Sequence, residues 1–98
     1  MTINTNADGS KLNIALEGRL DTSSAPKLEA VLKETLRGVT ELTMDFEKLD
    51  YISSAGLRVL LAAMKVMKKQ GSMVVRHVNE TVMEVFEITG FADLLTIE

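Results

Sequence analysis

The sequence contains no cysteine, no tryptophan, one tyrosine, three phenylalanines, one proline and one histidine among its 98 residues. Without cysteine there is no disulfide framework, no thiolate zinc site and no cysteine nucleophile, which suits a reducing, cytoplasmic setting. His77 is the only imidazole, so a histidine-based metal centre is not expected, and no cofactor is expected either. So few aromatic rings offer no platform for stacking bases. Eleven Lys and Arg against 14 Asp and Glu leave a net charge of −3, which gives no electrostatic attraction for nucleic acid. The longest apolar run, Val59 to Met64, has six residues where a bilayer span needs about 20, so no membrane insertion is expected. The opening Met-Thr-Ile-Asn has neither a basic segment nor an apolar stretch, and no secretory signal is expected. No repeat, linker or low-complexity stretch interrupts residues 1–98, which read as one domain.

What is present is an ordinary globular balance, 46% hydrophobic and 26% charged. A chain of this length buries roughly 65% of its unfolded surface, enough for one core. Ile3 to Asn6 is a weak strand candidate, Asp8-Gly9 a hairpin signal, and Leu12, Ile14 and Leu16 alternate as a half-buried strand. Thr22, Ser23 and Ser24 offer helix N-caps before Pro26, and Leu28, Val31, Leu32 and Leu36 recur at helical spacing up to Gly38. Leu42, Met44 and Phe46 alternate as a second such strand, and Glu47, Lys48 and Asp50 read as a loop with the makings of a polar interface rim. An apolar helix follows from about Ala55 to Gln70, with a main stripe of Leu57, Leu60, Leu61 and Met64, ended by Lys65, Lys68 and Lys69 and by Gly71. Met73 to Val78 reads as a strand, Glu80 to Thr89 as a short helix closed by Gly90, and Ala92 to Glu98 as a last strand. The order β-β-α-β-α-β-α-β predicts a small α/β fold with a mixed sheet, its helices covering mainly one face.

The chemically distinctive place is the strand-to-helix junction Asp50-Tyr51-Ile52-Ser53-Ser54-Ala55-Gly56-Leu57. Two hydroxyls fall where helical N–H groups lack intrahelical partners. Ser53 or Ser54 is then either an ordinary N-cap, contributing about 1 kcal/mol, or a phosphorylation site. A phosphoryl group adds about −1.5 to −2 charge at pH 7, which a helix N-terminus tolerates. The fold would survive, and a partner docked over the serine would meet a bulky dianion. Ala55 and Gly56 keep the neighbouring surface low. Arg58 lies one helical turn beyond Ser54 and is either a phosphate partner or a solvated residue.

Residues 44–61, Met-Asp-Phe-Glu-Lys-Leu-Asp-Tyr-Ile-Ser-Ser-Ala-Gly-Leu-Arg-Val-Leu-Leu, resemble the signature of STAS domains, and more narrowly of the bacterial anti-sigma-factor antagonists. Gly18-Arg19-Leu20-Asp21 with Ala25-Pro26 is similar to the family's other recurrent stretch, and Gly71 to Val75 and Phe86 to Phe91 fit its later part. The resemblance implies the STAS fold and a non-enzymatic regulator. Such antagonists bind an anti-sigma factor, often a serine kinase, and so free a sigma factor. The kinase phosphorylates a serine at this helix start and breaks the complex; a PP2C-type phosphatase restores it. That serine matches Ser54. Ser53, standing where many relatives carry Asp, is the second choice. Asp21 matches an acidic residue near the phosphosite. Asp21, Thr22, Ser23, Asp50, Ser53, Ala55, Gly56 and Arg58 are expected to surround Ser54 and contribute to the partner surface.

Other classes fit less well. A serine hydrolase needs glycine before the nucleophile as well as after it, where Ile52 stands, and an acid placed before its histidine, whereas Asp93 follows His77. There is no P-loop. Of the six methionines, Met44, Met64, Met67 and Met73 suit core filling, and Met83 is the candidate for an exposed contact. Lone STAS domains also serve as adaptor subunits of lipid-trafficking ABC transporters, where no phosphoserine is needed.

Overall fold

The computed structural model describes all 98 residues. Strands β1 (Thr2–Asp8) and β2 (Lys11–Leu20) pair antiparallel, with Asp8 opposite Lys11. The two-residue connection begins with Gly9 at φ 62°, a backbone conformation that glycine adopts without strain. Then come α1 (Ala25–Thr35), β3 (Glu41–Ile52), α2 (Ser54–Gln70), β4 (Ser72–Arg76), α3 (Glu80–Thr89) and the short α4 (Phe91–Leu94). The sheet order is β1-β2-β3-β4, with β3 parallel to both β2 and β4.

This is the mixed α/β architecture that the hydrophobic pattern predicts. The last β segment stands where expected but is reduced to one bridge, Ile97 beside Val75, fixed by Val75 N–H to the Thr96 carbonyl and Glu98 N–H to the Val75 carbonyl, both 2.9 Å. Phe91 to Leu94 are helical instead of extended. The reason is local. Gly90 at φ 83° ends α3 and lets the chain turn at once, and the buried Leu95 returns its N–H to the Phe91 carbonyl, four residues back.

Inward residues form one apolar cluster. Leu12, Ile14, Leu16 and Leu20 of β2, Leu42, Met44 and Phe46 of β3 and Val75 of β4 are all buried, while Asn13, Arg19 and Arg76 on the other parity are exposed. Helices therefore cover a single face. Phe46 meets Phe86 of α3 with ring centroids 6.3 Å apart, at a tilt that aromatic pairs favour. In α2 the buried line is Leu57, Leu60, Ala63 and Met67, with Val59; Leu61 and Met64 are half-buried and Val66 is exposed, so the stripe is narrower and longer than the sequence suggests.

Glu47, Lys48 and Asp50 are strand residues, not a loop. β3 gains one residue on β2 between the pairs Ala15–Asp45 and Glu17–Lys48, and another between Gly18–Leu49 and Arg19–Tyr51. These bulges change the inward spacing from two (Leu42, Met44, Phe46) to three (Phe46, Leu49, Ile52), and all five residues remain buried. Asp50 is the extra residue of the second bulge and is exposed.

Candidate functional site

The parallel strands β2 and β3 end together, Leu20 beside Ile52. Both chains leave the sheet at that edge, so the Asp21–Ser24 turn and the Ser53–Ser54 helix start lie next to each other. Such a carboxyl end is where parallel sheets place binding sites. The junction is tied by the Ser53 N–H, which donates to the Leu20 carbonyl at 2.9 Å.

The two serines have different roles. Ser53 is extended (φ −101°, ψ 176°) and is the N-cap of α2; its carbonyl accepts from Leu57 N–H at 2.9 Å and its side-chain oxygen from Gly56 N–H at 3.5 Å. Ser53 is half-buried. Ser54 is the first helical residue, exposed, and its hydroxyl makes no internal hydrogen bond. Arg58, one turn along the helix, is also exposed and forms no ion pair, and Ala55 is half-buried. Gly56 departs from the expected partner surface. It is buried, and a Cβ there would lie 2.7 Å from Leu20 Cγ and 2.9 Å from Ile52 Cγ1. Glycine is needed so that α2 can start against the ends of both strands.

Opposite the serines, Asp21 organises its turn. One carboxylate oxygen, Oδ1, accepts from Ser23 N–H (3.1 Å), Ser23 Oγ (2.8 Å) and Ser24 N–H (3.2 Å). The Ser23 hydroxyl, then the Ser24 N–H, hold the Asp21 carboxyl below the ordinary carboxylate range, against a smaller opposing effect of burial. Ser24, offered by the sequence as an N-cap, makes no capping bond; its hydroxyl donates to the Arg19 carbonyl (2.7 Å) and accepts from Asp21 N–H (2.9 Å). The capping work has moved to Asp21, because an aspartate two residues before a serine closes a tighter turn. Thr22 and Ser23 are exposed on its outer side.

One contact has no counterpart in the sequence reading. The Arg19 guanidinium lies over the Tyr51 ring, 4.4 Å from its centroid, and its Nε is 3.8 Å from Asp21 Oδ2. Arg19 thereby links the Asp21 turn to the end of β3. The only available signal is the pairing of residues 19 and 51, which depends on the bulge at Asp50 and cannot be counted from alternation. Met83 lies half-buried beside Val78 and Glu80. No helix is long and apolar enough to cross a membrane.

The exposed Ser54 hydroxyl and the Asp21 turn thus sit together at the carboxyl ends of β2 and β3, on a fold shared with a known family. A family model described as "Mlab, STAS domain" matches residues 3–96, and the chain belongs to the STAS family, among the bacterial anti-sigma-factor antagonists. Among relatives, the protein BtrV of Bordetella bronchiseptica is 39% identical over 84 residues, covering 84% of this chain and 72% of BtrV. The anti-sigma-B factor antagonist of Bacillus subtilis is 31% identical over 96 residues, covering 97% of this chain and 86% of its own. The fold matches that of SpoIIAA, a Bacillus cell fate determinant, in its unphosphorylated form (TM-score 0.86, 21% identity, 99% of this chain and 88% of that one) and its phosphorylated form (TM-score 0.77, 20% identity, 99% and 91%). These relatives are regulatory proteins.

Proposed function

We propose that this chain is an anti-sigma-factor antagonist switched by phosphorylation of Ser54. Unmodified, it binds an anti-sigma factor that is also a serine kinase, and a sigma factor is released. Transfer of a phosphoryl group to Ser54 breaks the complex, and a PP2C-type phosphatase restores it. The observation that carries this reading is the division between the two serines: Ser53 caps the helix, whereas the Ser54 hydroxyl is exposed and unengaged. A phosphate on Ser54 would sit at the positive end of α2, near N–H groups without helical partners, so the fold tolerates it. Arg58 lies on the same side, one turn away, with its charge unpaired. The partner surface comprises Asp21, Thr22, Ser23, Asp50, Ser53, Ala55 and Arg58, with Gly56 beneath it. An apolar or hydrogen-bonded partner seated there is displaced by a desolvated dianion.

The test is incubation with the cognate kinase and ATP, followed by mass spectrometry of the wild type and of Ser54→Ala. Phosphate on Ser54, absent from the variant, supports the switch. Labelling that persists in Ser54→Ala moves the acceptor to Ser53. No labelling, together with co-purification of an ABC ATPase subunit, replaces the switch with the transporter-adaptor role.

A further inference from the structure

The uncovered face of the sheet carries a second cluster, away from the serine junction. Asp45 points outward from β3, and Glu47, two residues on, lies on the same side. His77 follows the end of β4. Strand alternation from the buried Val75 and exposed Arg76 would aim residue 77 toward the helices. Its backbone instead adopts φ 58°, the one non-glycine residue with positive φ, and this turns the imidazole back over the outer face. His77 Nδ1 comes within 3.0 Å of Asp45 Oδ1, and one ligand atom from each of Asp45, Glu47 and His77 lies within 4.8 Å of the others.

We infer that Asp45, Glu47 and His77 form a binding site for a divalent transition-metal ion of the Zn²⁺ or Mn²⁺ class. Neighbouring donors around an ion with bonds of about 2.1 Å sit about 3 Å apart, which is the Asp45–His77 spacing already present. Two carboxylates and one imidazole suit such an ion better than Mg²⁺ or Ca²⁺, which take oxygen ligands. The Glu47 carboxylate has no hydrogen bond or ion pair inside the protein, so it is free to turn to the ion. Water would complete the coordination; Asp45 and Glu47 border a depression of ≈ 200 Å³ lined also by Asn4, Glu17 and Lys48, although His77 does not line it. Binding takes the Nδ1 lone pair, so the ring keeps its proton on Nε2, and Asp45 gives the ion the oxygen it otherwise gives the imidazole. This proposal departs from the expectation drawn from a lone histidine, and it does not rest on the phosphorylation reading.

The test is calorimetric titration of the full chain with ZnCl₂, and NMR titration of the ¹⁵N-labelled chain with MnCl₂. The expected results are saturable Zn²⁺ binding at one site, weakened more than about tenfold in His77→Ala and in Glu47→Gln, and paramagnetic broadening centred on residues 45, 47 and 77 of the wild type. Glu17→Gln serves as a control. Its carboxylate borders the same depression but already accepts from Asn4 Nδ2 at 3.0 Å, so its loss is expected to leave affinity unchanged. The site is overturned by broadening centred elsewhere, by equal binding of MgCl₂, by equal weakening in Glu17→Gln, or by non-saturable uptake that marks an adventitious ion only. The broadening experiment uses the wild type and decides the matter even where a variant fails to fold.

Discussion

The backbone N–H of Ser53 donates to the carbonyl of Leu20 at 2.9 Å, joining the last residue of β2 to the residue that caps α2. Through this bond the Asp21 turn and the two serines share one frame. Substitutions on either side therefore separate into those that disturb the frame and those that change only its outer surface.

Ser54 belongs to the outer surface. Ser54→Asp is expected to leave the thermal midpoint within a few degrees of wild type, because a carboxylate is favoured in the first turn of a helix. The same change is expected to weaken anti-sigma-factor binding by about 1–2 kcal/mol through desolvation and repulsion at the interface. Calorimetry on the purified pair checks the second figure; unchanged affinity removes Ser54 from the docking surface. Ser53→Ala acts on the cap and should lower stability by about 0.5 kcal/mol in urea unfolding, at the weak end of capping effects given its 3.5 Å bond.

Gly56→Ala tests the frame itself. The added methyl group would lie 2.7 Å from Leu20 Cγ and 2.9 Å from Ile52 Cγ1, so these side chains or the helix start must shift. A loss of about 1–3 kcal/mol in urea unfolding is expected. A variant as stable as wild type would mean that α2 is not held against Leu20 and Ile52 as closely as described.

The Asp21 turn gives a pH signature. Its folded-state pKa lies below the ordinary 3.8 because Ser23 and Ser24 donate to the ionised form. The resulting stabilisation is therefore complete above about pH 4. It is lost as the pH falls through the folded-state value. Stability of Asp21→Asn, followed by denaturant unfolding from pH 6 to pH 2, is expected to fall less steeply on the acid side than that of wild type. Parallel acid limbs would assign the turn's order to other bonds.

Asn79 holds α3 to the sheet by two bonds, its Oδ1 accepting from Val82 N–H at 2.8 Å and its Nδ2 donating to the Leu49 carbonyl at 2.7 Å. Asn79→Ala removes a cap and leaves a carbonyl unpaired, and about 1–2 kcal/mol of stability should go with it. Asn79→Asp keeps the acceptor alone and is expected to recover part of the loss in the same unfolding assay.

Legibility in the sequence followed the physics of each element. Alternation identified β2 and the first half of β3 because one face is buried and the other is wet. It failed after Phe46, where bulges made the inward spacing three; Leu49 and Ile52 were present to be counted, but nothing local announces a bulge. β1 carries only a weak pattern because it is an edge strand with nearly every side chain exposed, so its order comes from pairing with β2 and not from burial. The serine junction was legible because a helix start has its own chemistry. Whether Ser53 or Ser54 caps depends on one residue of register, which only the folded junction fixes. The reach of His77 to Asp45 was not legible, since it rests on a left-handed backbone at a residue that gives no warning of it.

Neighbouring hydroxyls at a helix start usually compete for one task, but here the task is already taken by the first. Position 54 is thereby released from capping, and its exposed side chain can vary without removing the bond that starts the helix. Sequences that differ at this residue would differ in the surface they present at the helix start long before they differ in how well they fold.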